Sequence, residues 1–196
     1  MNPLFTIGHS NHEMPQFLQL LQRHGITELA DVRSQPYSRH TPWFSRDALE
    51  HALKIAGIRY VFLGRELGAR RHEPDCYVQG KVSYERIASA TAFQSGLLRL
   101  RQEMGSARVA LMCAEKDPLD CHRTILVARH ALAFAEISHI QADAILEPHA
   151  ETERRMRAKY GLDESDLFLP PLAQLAEAYT LRGAEIAYEE EETPAI

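Results

Sequence analysis

The chain has 196 residues, enough for one domain with a proper core, and its 45% hydrophobic and 25% charged content is ordinary for a globular protein. A formal net charge of −5 argues against bulk, sequence-independent binding to nucleic acid, although a local basic pocket stays compatible with it. No apolar run reaches the roughly 18 residues of a membrane span, no basic stretch leads into an apolar one at the start, and three cysteines without framework spacing suit a reducing compartment. The expectation is a cytoplasmic protein with no membrane partner.

Leu4-Phe5-Thr6-Ile7 reads as a short buried strand ending at Gly8-His9-Ser10. Phe17, Leu18, Leu20 and Leu21 recur at helical spacing between Pro15 and His24, and Gly25 supplies a stop. A second strand, 28–32, ends in Arg33-Ser34, and the loop from Gln35 to Phe44 carries Pro36 and Pro42. Ser45 is placed to cap a helix over 46–56, with Gly57 after it. The third strand, 59–63, ends in Gly64-Arg65-Glu66-Leu67-Gly68, and an irregular polar stretch runs from Ala69 to Lys81.

A helix over 83–104 is expected to break near Gly96. The fourth strand, 108–112, ends in Cys113, and the loop Ala114 to Asp120 leads to a helix from Cys121 to about Ala135. A fifth strand is expected at 137–140, and helices over 150–160 and 171–182. Glu189-Glu190-Glu191-Glu192 opens an acidic tail, 189–196, read as disordered.

Strands alternating with helices imply βαβ units and hence a mostly parallel sheet of about five strands, with helices on both faces. The expected architecture is a single three-layer α/β domain over 1–188, with a core at 4–145 and a helical extension at 150–188. Ligands of such sheets bind beyond the carboxyl ends of the strands. Those ends are rich in functional side chains: His9 and Ser10; Asp31 and Arg33, followed by Ser38 and Arg39; Arg65 and Glu66; Cys113 and Glu115, then Cys121, His122 and Arg123.

Asp120 is expected to cap the helix from Cys121, setting Cys121, His122 and Arg123 in a first turn whose free N–H groups favour an anion. Three readings stay open. Cys113 or Cys121 is a nucleophile, with Glu115, His9 or Asp31 moving protons and Ser10, Arg33, Ser38, Arg39, Arg65, Glu66, His122 and Arg123 binding an anionic or nucleotide-like substrate. Alternatively the pocket binds such a ligand, or nucleic acid, without chemistry. In the third, Cys113, Cys121 and His122 bind a metal, although Cys-x7-Cys-His is not a recognised zinc spacing. The blander possibilities are that the cysteines are buried filler, and that Arg33, Arg39 and Arg65 pair with Asp31, Glu66 and Glu115. Tyr37, Trp43 and Phe44 either stack a flat ligand or cover the core. The run Arg70-Arg71-His72 either contacts phosphate or is a solvated face. No cofactor is specified.

Taken together, Thr6-Ile7-Gly8-His9-Ser10, Asp31-Val32-Arg33-Ser34 with Pro36, Ser38 and Arg39, Gly64-Arg65-Glu66-Leu67-Gly68, and Leu111-Met112-Cys113-Ala114-Glu115 with Cys121-His122-Arg123 closely resemble the bacterial family called domain of unknown function 488. The resemblance spans roughly 4–145, with Gly68-Ala69 standing where the family pattern has Gly-Gly. It implies a compact α/β protein and assigns no catalytic roles.

Overall fold

A computed structural model describes residues 2–162 and 170–189. Five parallel strands form the body of a six-stranded sheet, and a short antiparallel strand closes one edge. In chain order the strands are β1 (Asn2–Gly8), β2 (Glu28–Asp31), β3 (Arg59–Phe62), the hairpin strands β4 (Tyr77–Val78) and β5 (Lys81–Val82), β6 (Val109–Cys113), β7 (Ala135–Ile140) and β8 (Leu146–Pro148). The sheet order is β3-β2-β6-β1-β7-β8, with β4-β5 standing apart. β2 and β6 are buried along their whole length, as strands covered on both faces must be.

The helices are α1 (Met14–Arg23), α2 (Arg46–Ile55), α3 (Gly64–Leu67), α4 (Tyr84–Ser89), α5 (Thr91–Glu103), a helix from His122 that passes through a π segment at Arg123–Ala128 into α6 (Arg129–Ala131), α7 (His149–Lys159) and α8 (Pro171–Ile186). Phe17, Leu20 and Leu21 of α1 and Leu49 and Leu53 of α2 pack with Phe5, Ile7, Leu29, Ala110 and Met112 on one face of the sheet. Leu97 and Leu100 of α5, Ile125 to Ala128 of the π segment and Tyr179 of α8 pack with Leu4, Ala30, Val32, Leu111 and Ile137 on the other. Side-chain alternation along the strands thus feeds two cores, which gives the expected three layers.

Several elements differ from expectation. The long helix breaks at Ala90, whose extended backbone (φ −71°, ψ 138°) separates α4 from α5. Gly96 lies inside α5, where an added Cβ would come within 2.6 Å of the Glu66 Cβ and 2.8 Å of Leu67. That glycine serves close packing of α3 on α5, not a break. The irregular stretch after Ala69 contains the β4-β5 hairpin, whose turn residues Gln79 (φ 51°) and Gly80 (φ 78°) have the two positive φ values of a tight hairpin turn. β8 is a sixth strand, and its antiparallel pairing with β7 was not anticipated. Within the expected acidic tail, Glu189 forms an isolated bridge to Lys81, and 190–196 lie outside the described residues.

Candidate functional site

β1 is followed by α1 on one face, whereas its neighbour β6 is followed by the π segment on the other. Chains leaving adjacent strands in opposite directions open a crevice at their carboxyl ends, the place where open α/β sheets bind ligands. The parallel register pairs Gly8 with Cys113 and continues past the sheet, because His9 N–H donates to Cys113 O (2.8 Å) and Ser10 N–H to Ala114 O (2.9 Å). The crevice is a cavity of about 360 Å³ whose lining includes His9, Arg33, Cys113, Glu115, His122 and Tyr188.

Asp120 does not cap the helix. It sits in a 3-10 turn (Pro118–Asp120) capped by Asp117, whose Oδ1 accepts from Leu119 N–H at 2.9 Å, and its own carboxylate pairs with Arg182 of α8. The cap is Cys121. Its backbone is extended (φ −135°, ψ 137°), its carbonyl accepts from Thr124 and Ile125 N–H, and its sulfur accepts from Arg123 N–H at 3.4 Å. The N–H group expected to meet an external anion therefore meets the protein's own sulfur.

His122 Nε2 lies 3.0 Å from the carbonyl of Val32 and donates to it, which turns Nδ1 towards two sulfurs, Cys113 at 3.6 Å and Cys121 at 3.9 Å; burial lowers the His122 pKa, but Cys121 and Glu115 raise it overall. The three donor atoms lie within 4.8 Å of one another, and both cysteines are buried. Hydrogen bonding to Cys121, then burial, pushes the Cys113 thiol well above its usual range. Burial opposes ionisation of Cys121 too, but the hydrogen bond from Cys113, the Arg123 charge and His122 together hold it well below. The Glu115 carboxyl is raised by desolvation and by Cys121, with Cys113 opposing.

The arginines are mostly engaged. Arg123, 1% exposed, donates from Nε to Thr6 Oγ1 (3.3 Å), from Nη1 to Glu115 O (2.7 Å) and from Nη2 to Lys116 O (3.2 Å). Arg33 grips Asp31 with Nε (2.9 Å) and Nη2 (2.7 Å), and Asp31 also accepts from Arg33 N–H and Tyr60 OH. Four donors saturate that carboxylate, leaving it no role in proton transfer. Arg33 Nη1 donates to His9 Nε2 at 3.2 Å while His9 Nδ1–H donates to Ser10 O, so both imidazole nitrogens are used. Burial and the Arg33 charge lower the His9 pKa to about 4, which fits a neutral structural ring stacked on Phe44.

Ser38 lines the cavity and hydrogen-bonds Thr41, whereas Ser10 turns to Asn11 and is not among the lining residues. Arg39 is exposed and away from the lining. Arg65 and Glu66 border a separate depression along β3, where Glu66 pairs with Arg99. The structure thus brings together Cys113, Cys121, His122, Glu115, His9, Arg33 and Ser38, and places Arg65, Glu66 and Arg39 elsewhere. Sequence reasoning missed Tyr84 and Tyr188, which line the cavity from distant segments, and no local signal marks them.

Behind the site runs a buried chain of hydrogen bonds. Tyr179 OH donates to Glu153 (2.8 Å), so it accepts from His149 Nε2 (2.9 Å); His149 Nδ1 then accepts from His139 Nε2 (3.0 Å), and His139 Nδ1 accepts from Thr6 Oγ1 (2.7 Å). Thr6 in turn accepts from Arg123, so one tautomer assignment satisfies every member.

Comparison with curated proteins and with solved structures gave no match. The stretch that carries α1, β2 and both cysteines, residues 13–130, matches the family model described as Domain of unknown function DUF488, and the chain belongs to that family.

Proposed function

We propose that Cys113, Cys121 and His122 hold one divalent metal ion of the zinc class at the floor of the cavity, and that the cavity is the substrate site of a metal-dependent enzyme acting on a small anionic molecule. The observation that carries this reading is the pair of sulfurs around one imidazole nitrogen, three buried ligand atoms within 4.8 Å of one another. Tetrahedral zinc with Zn–S near 2.3 Å and Zn–N near 2.05 Å would set sulfur and nitrogen about 3.6 Å apart, against 3.6 and 3.9 Å here. His122 is already oriented through the Val32 carbonyl, as metal-bound imidazoles usually are.

Three protein ligands leave a position for water or substrate, the arrangement of catalytic and not structural zinc. Glu115, on the cavity wall, would be the group to take a proton from a water adding to the substrate and to return it to the leaving group. Simple nucleophilic catalysis fits less well. Cys121, the sulfur whose pKa is pushed down, is 1% exposed and outside the cavity lining, whereas Cys113, which faces the cavity, is pushed up.

Elemental analysis of protein purified without chelator tests the reading. About one equivalent of metal per chain is expected, falling to a small fraction in Cys113→Ser and in Cys121→Ser. Sub-stoichiometric metal that is insensitive to both substitutions would end it.

A further inference from the structure

We infer that Arg70 is the residue of this cavity that binds an oxyanion, a phosphate or carboxylate carried by the substrate; the inference rests on reading the cavity as a substrate site. The argument begins with elimination. Two arginines and two acidic residues line the cavity: Arg33, Arg70, Glu115 and Asp120. Arg33 is committed to Asp31, Phe44 O and His9, and Asp120 is paired with Arg182. Arg123 lies behind the wall with its guanidinium spent on Thr6 and two carbonyls. Arg70 is exposed, and among the described residues no carboxylate pairs with it.

Arg70 is also held ready. Gly68 lets the chain lie against the end of β2, since a Cβ there would sit 2.4 Å from Ser34 Oγ and 2.9 Å from Ser34 Cα. Arg70 N–H then donates to Ser34 Oγ at 2.8 Å. The next residue, Arg71, is 5% exposed and ties the segment down by donating to Arg65 O (2.8 Å) and Glu66 O (2.9 Å). With its backbone fixed, the Arg70 guanidinium stacks 4.5 Å above the Tyr188 ring. Tyr188 is itself anchored, because its carbonyl accepts from Val82 N–H at 2.9 Å in the hairpin.

A cation–π contact places the charge over the ring without using up the N–H donors, and a guanidinium with donors to spare can grip phosphate or carboxylate in a bidentate way. The hairpin, the Gly68 contact and the C-terminal segment thus all serve to hold one cation over the cavity. A substrate whose oxyanion meets Arg70 has its remaining atoms directed along the cavity towards Cys113 and His122.

The test is thermal unfolding of the full chain, as purified with its metal, in sodium phosphate, sodium acetate and sodium chloride at equal ionic strength. Phosphate should raise Tm more than chloride does, and acetate doing the same would mark the shared oxyanion chemistry. Arg70→Ala should raise the half-saturating phosphate concentration about tenfold or more, the loss of one charge-assisted pair. Arg70→Lys should keep part of the response, and Arg39→Ala and Arg65→Ala all of it. An unaltered response in Arg70→Ala, or no excess of phosphate over chloride in the unsubstituted protein, overturns the inference. Metal content of the same samples is a separate readout: metal present without a phosphate response sinks Arg70 alone, whereas metal absent throughout sinks the metal centre.

Discussion

Gly8→Ala isolates the contact that joins the two strand ends. Gly8 is not among the residues with positive φ, so alanine meets no backbone strain there. The difficulty is space: the new Cβ would fall 1.8 Å from Glu115 O, 2.8 Å from its carbonyl carbon and 3.3 Å from Arg123 Nη1. To reach ordinary contact the Glu115 carbonyl must retreat by roughly 1.5 Å, enough to break the bond it accepts from Arg123 and to pull on the Ser10 N–H to Ala114 O bond. A charge-assisted bond is worth about 1.5–3 kcal/mol and a neutral one about 1 kcal/mol, against which alanine gains about 0.4–1 kcal/mol from a stiffer unfolded chain. A net loss of about 2–3 kcal/mol is expected. Urea denaturation should show a lower midpoint with an unchanged slope, and because the displaced loop joins the two cysteines, bound metal should fall as well. A midpoint and metal content equal to those of the unsubstituted protein would refute the reasoning.

Acid should weaken the fold through His9, whose folded pKa of about 4 lies below the ordinary histidine value of 6.5. The unfolded chain then takes up the proton first, so stability present above pH 6.5 is lost as pH falls towards 4. The loss is about 2 kcal/mol between pH 7 and pH 5. His139 is depressed in the same direction by burial, and His9→Gln should flatten only the His9 share of the slope measured by urea titrations at the two pH values. Tyr179→Phe removes the acceptor for His149 and the donor to Glu153; a loss of about 1–3 kcal/mol with broadening of slowly exchanging imidazole N–H signals in proton NMR is expected, and sharp, unshifted signals would show that the chain is not continuous.

The parallel strands and their order of polar ends were legible because burial on both faces leaves continuous apolar runs such as Val109-Ala110-Leu111-Met112. The crevice followed from the rule for open sheets, and so did the convergence of His9, Arg33, Cys113 and His122. What the spacing hid was which of the converging groups were already satisfied. Arg123 reads as a surface-ready cation in sequence, yet its partners are carbonyls eight and seven residues before it, brought round by the loop between the cysteines. Likewise the capping rules favour Asp120 over a cysteine, and only the pull of Arg182, 62 residues away, takes Asp120 out of the cap position. Tyr188 reaches the cavity through pairing with β5, a long-range contact that leaves no periodic trace.

Charge balance links these observations to the metal. Arg123 is 1% exposed, and among the described residues it has no salt bridge to a carboxylate; its bonds go to carbonyl dipoles and a threonine. A buried cation of that kind is costly unless negative charge lies close by, and the nearest source is the thiol cluster, since Cys121 sulfur accepts from the Arg123 backbone. Without metal, a thiolate at Cys121 would balance Arg123 while Cys113 keeps its proton, in line with the downward shift of the one thiol and the upward shift of the other. With a divalent ion, two thiolates would cancel its charge, and Glu115, whose carboxyl is biased towards the protonated form by burial and Cys121, would ionise and become the counter-charge to Arg123. Binding of a divalent ion would therefore release two protons, one from the Cys113 thiol and one from the Glu115 carboxyl, and keep the cluster neutral. That exchange would give Arg123 a reason to be buried where an external anion has no access, and it would leave recognition of the substrate's own charge to the cation outside the wall.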